Sequence, residues 1–204
     1  MRKLFREFYN RSSVDVAKDL LGKYLVHIVD DIEVIAKIVE TEAYMGPSDK
    51  AAHSYNNRRT KRTEIMFGAP GFAYVFTIYG MYSCMNVVTE EVGRPQAVLI
   101  RALEPIAGLE KMVELRYKKY LKDCNKSEIL GLTNGPSKLC MSMGITKINN
   151  ENDLCGDNLY ITEDAKEQQF QTVCTTRINI DYAEEAIYYP WRFYIDGNKY
   201  VSQK

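Results

Sequence analysis

The chain has 204 residues, 46% of them hydrophobic, with 27 Lys+Arg against 27 Asp+Glu. This length and apolar content fit one sizeable core and a single domain over residues 1–204, and a net charge of zero does not by itself draw the chain to a polyanion. The five cysteines form no CxxC pair and the two histidines belong to no ligand-spaced cluster, which argues against a disulfide framework and a bound metal and for reduced thiols in the cytoplasm.

Residues 12–13 offer a serine cap. Val14, Ala17, Leu20 and Leu21 then form one apolar stripe, closed by Gly22, so a packing helix is expected here. Residues 24–29 are rich in aromatic and β-branched side chains and read as a strand, with His27 as a structural residue inside it. Asp30-Asp31 is the turn, and residues 34–42 return as the partner strand.

That strand ends in a crowd of polar groups. Side chains alternate along a strand, so Glu40 and Glu42 share a face, about 7 Å apart at two strand rises. Tyr44 shares the face if the strand runs on. Met45-Gly46-Pro47 stops it. Ser48-Asp49 reads as the cap of a short helix running to His53. Taken alone, this stretch fits an edge strand with solvated acids as well as it fits an active site.

Charge is distributed unevenly. Residues 54–63 carry Arg58, Arg59, Lys61 and Arg62 and no acid, and residues 111–122 carry five bases against Glu114. A neutral protein with one basic face can still bind nucleic acid. The N-terminal MRKLFREFYN lacks an apolar region of the kind found in signal peptides. The chain has no run of 18 apolar residues, so no membrane span is expected.

Residues 72–78 and 82–88 read as two strands interrupted by Tyr79-Gly80-Met81. Turns normally carry polar residues. An aromatic and a methionine at a tip therefore mean either insertion into a partner or, for Tyr79, folding back onto its own sheet. Residues 96–103 form a further strand with one interior charge, Arg101. Such a charge needs a partner, and Glu40 and Glu42 are the obvious ones. Glu104-Pro105 reads as a helix start, with Leu109, Met112, Val113 and Arg116 on one face. Residues 134–140 turn into a short helix closed by Gly144, where Lys138 could meet a phosphate. Residues 159–162, 171–180 and 191–195 are strands, and Asp196-Gly197-Asn198 turns the last back into residues 199–202. The mixed order of strands and helices, without regular βαβ alternation, gives an α+β fold with a curved, largely antiparallel sheet flanked by helices.

Several stretches together resemble the alkyladenine (3-methyladenine) DNA glycosylase family. They are LLGKYLV at 20–26, VETEAYMGPSDKAAHS at 39–54, MFGAPGFAYVFTIYGMYSCMNV at 66–87, VLIRALEP at 98–105, NGPSKLC at 134–140 and PWRFYI at 190–195. The resemblance runs from about residue 5 to about residue 200. It implies a glycosylase that hydrolyses the N-glycosidic bond of alkylated purines in duplex DNA. With no lysine placed by motif for a Schiff base and no step that needs a metal or organic cofactor, the chemistry reads as monofunctional and cofactor-free. Nothing in the sequence demands a dimer, so a monomer is expected. Glu42 matches the general base and Arg101 the basic residue beside it. Ile178 matches a position whose main-chain carbonyl touches the attacking water. Tyr44, His53 and Phe76 match the walls of the base pocket, with Phe76 at a position that can be Tyr, and Asn86 matches a residue that discriminates among purines. Tyr79 matches the residue pushed into the duplex from a protruding hairpin, with Met81 beside it. Arg58, Arg59, Lys61, Arg62 and Lys138 are the expected backbone contacts.

The chemistry fits those roles. A base inside a duplex must be extruded, at a cost of roughly a few kcal/mol. An aromatic wedge offsets that cost, and aromatic walls hold the extruded purine. Two rivals belong to other classes. One is a sugar glycoside hydrolase using Glu40 and Glu42 as an acid–base pair, whose spacing of about 7 Å lies in the permitted range. The other is a nucleic-acid-binding module without catalysis, which has no use for Glu42 beside Arg101.

Overall fold

The structure is a computed structural model and describes residues 1–165 and 169–203. Its centre is the long strand β3 (Ile32–Tyr44), which is reached through β1 (Arg2–Lys3), α1 (Arg6–Tyr9), α2 (Ser13–Asp19) and β2 (Tyr24–Val29). Ser12 caps α2 by accepting from the Val14 N–H. Asp30 and Asp31 both adopt positive φ, 50° and 61°, as a tight hairpin turn requires. After β3 come β4 (Ala73–Ile78), β5 (Tyr82–Thr89), β6 (Gln96–Ala107), α3 (Leu109–Tyr117), α4 (Lys126–Gly131) and α5 (Pro136–Ser142). The chain ends with β7 (Leu159–Glu163), β8 (Thr172–Thr175) and β9 (Arg192–Ile195).

These strands form one open sheet in the order β1-β7-β2-β3-β6-β5-β4, with β9 on β3 and β8 on β9. Every pairing is antiparallel. With helices packed on it, this is an α+β fold. The main core joins the inward residues of the sheet to Val16 and Ala17 of α2, Leu20 just after it, Met112 and Val113 of α3, and Leu139 and Cys140 of α5. The Val, Leu and Met side chains among these each contribute about 1.5–3 kcal/mol when fully buried. Thr41 ties β3 to α2 by donating to the Ala17 carbonyl at 2.8 Å.

The way β3 changes neighbours sets up everything that follows. Its first half pairs with β2 and its second half, Glu40 to Glu42, pairs with β9, while β6 runs along the other edge. The β3–β6 register slips twice near the end. Ile38 faces Leu103 but Glu40 faces Ala102, and Thr41 then faces Ile100. Val39 on one strand and Arg101 on the other are therefore the extra residues of two bulges. Bulges re-aim side chains and recur beside functional sites.

The structure departs from the sequence expectations in four places. Glu104-Pro105 does not start a helix: β6 continues to Ala107, and α3 begins only after Gly108, whose φ of 75° turns the chain. Pro105 is tolerated because it faces Ala36 at a register shift, where a missing N–H breaks no regular ladder. Residues 48–53 do not form a capped helix. A 3-10 turn at Gly46–Ser48 is followed by irregular turns, because Asp49 is occupied elsewhere. Gly46 itself has φ 73°, and a Cβ there would lie 2.6 Å from the Pro95 carbonyl oxygen. The strand expected over 171–180 is only Thr172–Thr175, since Arg177 turns inward. Residues 199–202 make no strand; Ser202 folds back onto Glu40.

Candidate active site

β3 delivers Glu42, fully buried, into a group of three donors. Its Oε1 accepts from the Ile178 N–H at 2.8 Å and faces Arg101 Nη1 at 3.3 Å. Its Oε2 accepts from the Tyr44 hydroxyl at 2.9 Å. Burial pushes the Glu42 carboxyl up from its ordinary range. Arg101, the Ile178 N–H and the Tyr44 hydroxyl pull it back down, and neighbouring Glu40 adds to the rise. A carboxyl held near the balance of such forces is suited to taking up a proton.

The three partners of Glu42 line a cavity of about 360 Å3, and Glu42 sits immediately behind them. Its other walls include His53, Phe76, Asn86 and Tyr74, with Tyr79 at the margin. Pockets of this size, largely apolar with a few placed polar groups, are those that take small ligands. Tyr74 and Phe76 point to the same face of β4, with ring centroids 5.3 Å apart, and His53 packs edge-on to Phe76 at 4.7 Å. Asn86 donates to the Tyr74 carbonyl at 3.1 Å.

His53 is held as a neutral ring. Burial, then Arg62 and Arg58, pull its pKa down to about 4. Arg62 Nη2 lies 3.3 Å from Nε2. A guanidinium has only donors, so Nε2 is the acceptor and Nδ1 carries the proton, facing the Tyr74 hydroxyl at 2.8 Å. A neutral imidazole in the wall does not repel a cationic purine.

The loop that brings Ile178 to Glu42 is held by a buried ion pair absent from the sequence expectations. Arg177 and Asp49 are both fully buried and pair through both guanidinium nitrogens, with Arg177 also donating to the Ala43 and Ala186 carbonyls. The Arg177 guanidinium lies 4.8 Å from the Tyr44 ring. The feature that singled out Arg101, a charge inside an apolar run, is present at Arg192 in WRFYI, whereas Arg177 stands among Thr175, Thr176 and Asn179 and carries no such signal. Tyr182, whose hydroxyl donates to the Ala51 carbonyl at 3.3 Å, is a further wall residue that the sequence did not single out.

The expected site residues fall into four groups. Glu42, Arg101 and Ile178 come together, and Tyr44, His53, Phe76 and Asn86 surround the adjoining cavity. Tyr79 and Met81 lie at the tip joining β4 to β5, 87% and 74% exposed, so Tyr79 does not fold back onto the sheet. The basic residues separate. Arg58 and Arg62 line a neighbouring cavity that shares His53, and Arg62 stacks over Phe76 at 4.6 Å. Arg59 pairs with Glu64, and Lys138 donates to Asn134 at 2.8 Å. His27 is structural, with Nδ1 2.7 Å from the Met143 carbonyl. Among the described residues no group of three or more His, Cys, Asp or Glu side chains could hold a metal ion, and no helix is long and apolar enough to cross a membrane.

A buried carboxylate beside an aromatic-walled cavity, on a sheet that also presents an exposed aromatic tip, is suited to hydrolysing a bond of a small ligand held in that cavity. The profile of the methylpurine-DNA glycosylase (MPG) family matches residues 7–199, and the chain belongs to that family. It is 58% identical over 202 residues to a protein of Alkaliphilus oremlandii (strain OhILAs), covering 99% of this chain and 100% of the relative. It is 57% identical over 204 residues to one of Desulfitobacterium hafniense (strain Y51), covering all of both chains. It is 56% identical over 200 residues to one of Clostridium acetobutylicum, covering 98% and 97%. Each of the three bears the name "Putative 3-methyladenine DNA glycosylase".

Proposed function

We propose that this chain, as a single domain and a monomer in the cytoplasm, excises 3-methyladenine-type alkylated purines from duplex DNA without cutting the strand. Tyr79 enters the duplex and the damaged nucleotide turns out into the cavity, where Tyr44, His53 and Phe76 stack on the base. Alkylation at a ring nitrogen leaves the purine cationic, so it is drawn to electron-rich faces and departs readily. A water held at Glu42 attacks C1′ as the N-glycosidic bond breaks. The bonding pair leaves with the purine, Glu42 takes the proton, and the products are the free base and an abasic sugar. The Tyr44 hydroxyl stays on Glu42 Oε2, whose second lone pair accepts from the water.

The observation that carries this reading is the unequal state of the two acids. Two of the groups bonded to Glu42, Tyr44 and Ile178, line the cavity, whereas Glu40 is held away from it by Arg192 and Ser202 as well as by Arg101. A sugar hydrolase needs both acids free to exchange protons, and a pure binding module needs neither. The test is release of free base from a panel of duplexes, each carrying one modified purine. Release of 3-methyladenine with an intact abasic strand is expected. No release from any alkylated duplex overturns the reading.

A further inference from the structure

Glu40 lies two residues before Glu42 and, like it, is fully buried and does not itself line the cavity. Its Oε1 accepts from Arg101 Nε at 3.3 Å, Arg192 Nη1 at 2.8 Å and the Ser202 hydroxyl at 3.0 Å, and its Oε2 accepts from the Ser202 N–H at 2.7 Å. Arg192 in turn is fixed by the Thr176 and Gln203 carbonyls, 2.9 and 2.8 Å away. One side chain thus binds β6, β9 and the segment after β9 to β3. Arg101 is shared: its Nε goes to Glu40 and its Nη1 to Glu42.

We propose that Glu40 is a positioning residue for base excision, holding the Arg101 guanidinium so that only part of its charge is spent on Glu42, and thereby keeping Glu42 basic. This rests on the reading of Glu42 as the general base. Four charged side chains, Glu40, Glu42, Arg101 and Arg192, share this buried cluster, and they balance when Glu42 is ionised. The other groups facing Glu42 are the Tyr44 hydroxyl and the Ile178 N–H. Arg177 lies beyond the Tyr44 ring, and His53 across the cavity is uncharged. Taking the charge off Glu40 turns Arg101 wholly toward Glu42. The carboxylate then ionises at lower pH, and a base that ionises more easily accepts a proton less readily.

The experiment is the pH profile of single-turnover release from dimethyl-sulfate-methylated duplex, whose cationic bases need no protonation to leave. For Glu40→Gln the acid limb is expected to move down by about one pH unit, the low end of what a neighbouring charge does. The plateau should fall by about tenfold, short of the roughly 10²–10⁴-fold attached to a general base. Glu40→Asp, which keeps the charge, should return the limb toward the wild-type position. Breaking one side of a buried ion pair can unfold a protein, while replacing both partners is tolerated better. Glu40→Gln with Arg192→Met is therefore the second variant; its downward shift should be smaller, because the cation facing Glu42 across β9 is lost with Glu40. A rate loss with the limb unmoved in the folded variants makes Glu40 merely structural and overturns the proposal. A Glu42→Gln protein as active as wild type overturns the underlying reading instead.

Discussion

The Tyr44 hydroxyl donates to Glu42 Oε2 at 2.9 Å across two residues of one strand. The same tyrosine thus offers its ring to the cavity and its hydroxyl to the carboxylate. That hydrogen bond favours the ionised form of Glu42, opposing the upward push of burial. Tyr44→Phe keeps the ring and removes the bond, so the folded-state pKa of Glu42 should rise. Excision needs the ionised base, so the acid limb of the single-turnover profile should move to higher pH. A limb that stays in place, or moves lower, would show that the hydroxyl does not act on Glu42.

Glu42→Gln should abolish base release and leave DNA binding nearly intact. Glutamine keeps the shape and can still accept from the Ile178 N–H, but it cannot take the proton of water. The loss expected from removing a general base is roughly 10²–10⁴-fold. Single-turnover excision and a binding titration on one alkylated duplex separate the two effects. Parallel loss of affinity and rate would assign Glu42 to folding or binding.

Asp49→Asn should be strongly destabilising. Asp49 and Arg177 are both fully buried, and removing one partner leaves the other charge without compensation, which costs about 3–5 kcal/mol. Because Arg177 precedes Ile178, the variant should also release the Ile178 N–H from Glu42 and slow excision at temperatures where it is still folded. Denaturant unfolding read alongside single-turnover rates tests this. A change below about 1 kcal/mol would mean that solvent reaches the pair.

How much of this was legible in the sequence differs from element to element. The strand over 24–29 and its Asp30-Asp31 turn were readable because composition and turn chemistry agree locally. Pro105 misled because proline is a strong local signal for a helix start or strand end, and only the bulge opposite Ala36 makes room for it in a strand. Within the site, Glu40, Glu42 and Arg101 were recognisable as charges at the ends of apolar strands that need one another. Arg192 and Ser202 were not assigned to them, since their partner lies 152 and 162 residues away in sequence. Asp49 was read as a local cap, which it partly is: it accepts from the Ala51 N–H at 3.0 Å. Its main partner, Arg177, is supplied by the fold.

DNA affinity should fall steeply with salt even though the chain carries no net charge. Each phosphate contact contributes a slope of about −0.9 in log K against log salt. All four residues of the basic run are exposed, but Arg59 is engaged by Glu64 and Arg62 is stacked on Phe76. Arg58→Ala with Lys61→Ala should therefore make the slope shallower, and Arg59→Ala should change it less. A slope unchanged in the double variant would place this loop away from the DNA backbone.

Tyr79 is the residue proposed to enter the duplex. It is 87% exposed, adopts φ 50°, and follows β4, whose Tyr74 and Phe76 line the cavity. A bulky residue with positive φ at a solvent-facing tip contributes nothing to the core and is held in a conformation that side chains of its size rarely adopt. One rigid element can then act twice: its strand lines the pocket while its tip fills the vacated stack. Tyr79→Ser should accordingly leave the melting temperature almost unchanged. It should weaken the flipped complex by on the order of a few kcal/mol, the scale of unstacking a step. The loss should shrink on a lesion placed opposite a mismatch, where less pairing and stacking must be broken. Melting temperature, and single-turnover excision on matched and mismatched duplexes, are the measurements. An equal rate loss on both duplexes would move the wedge elsewhere, with Met81, 74% exposed on the same turn, the next residue to replace.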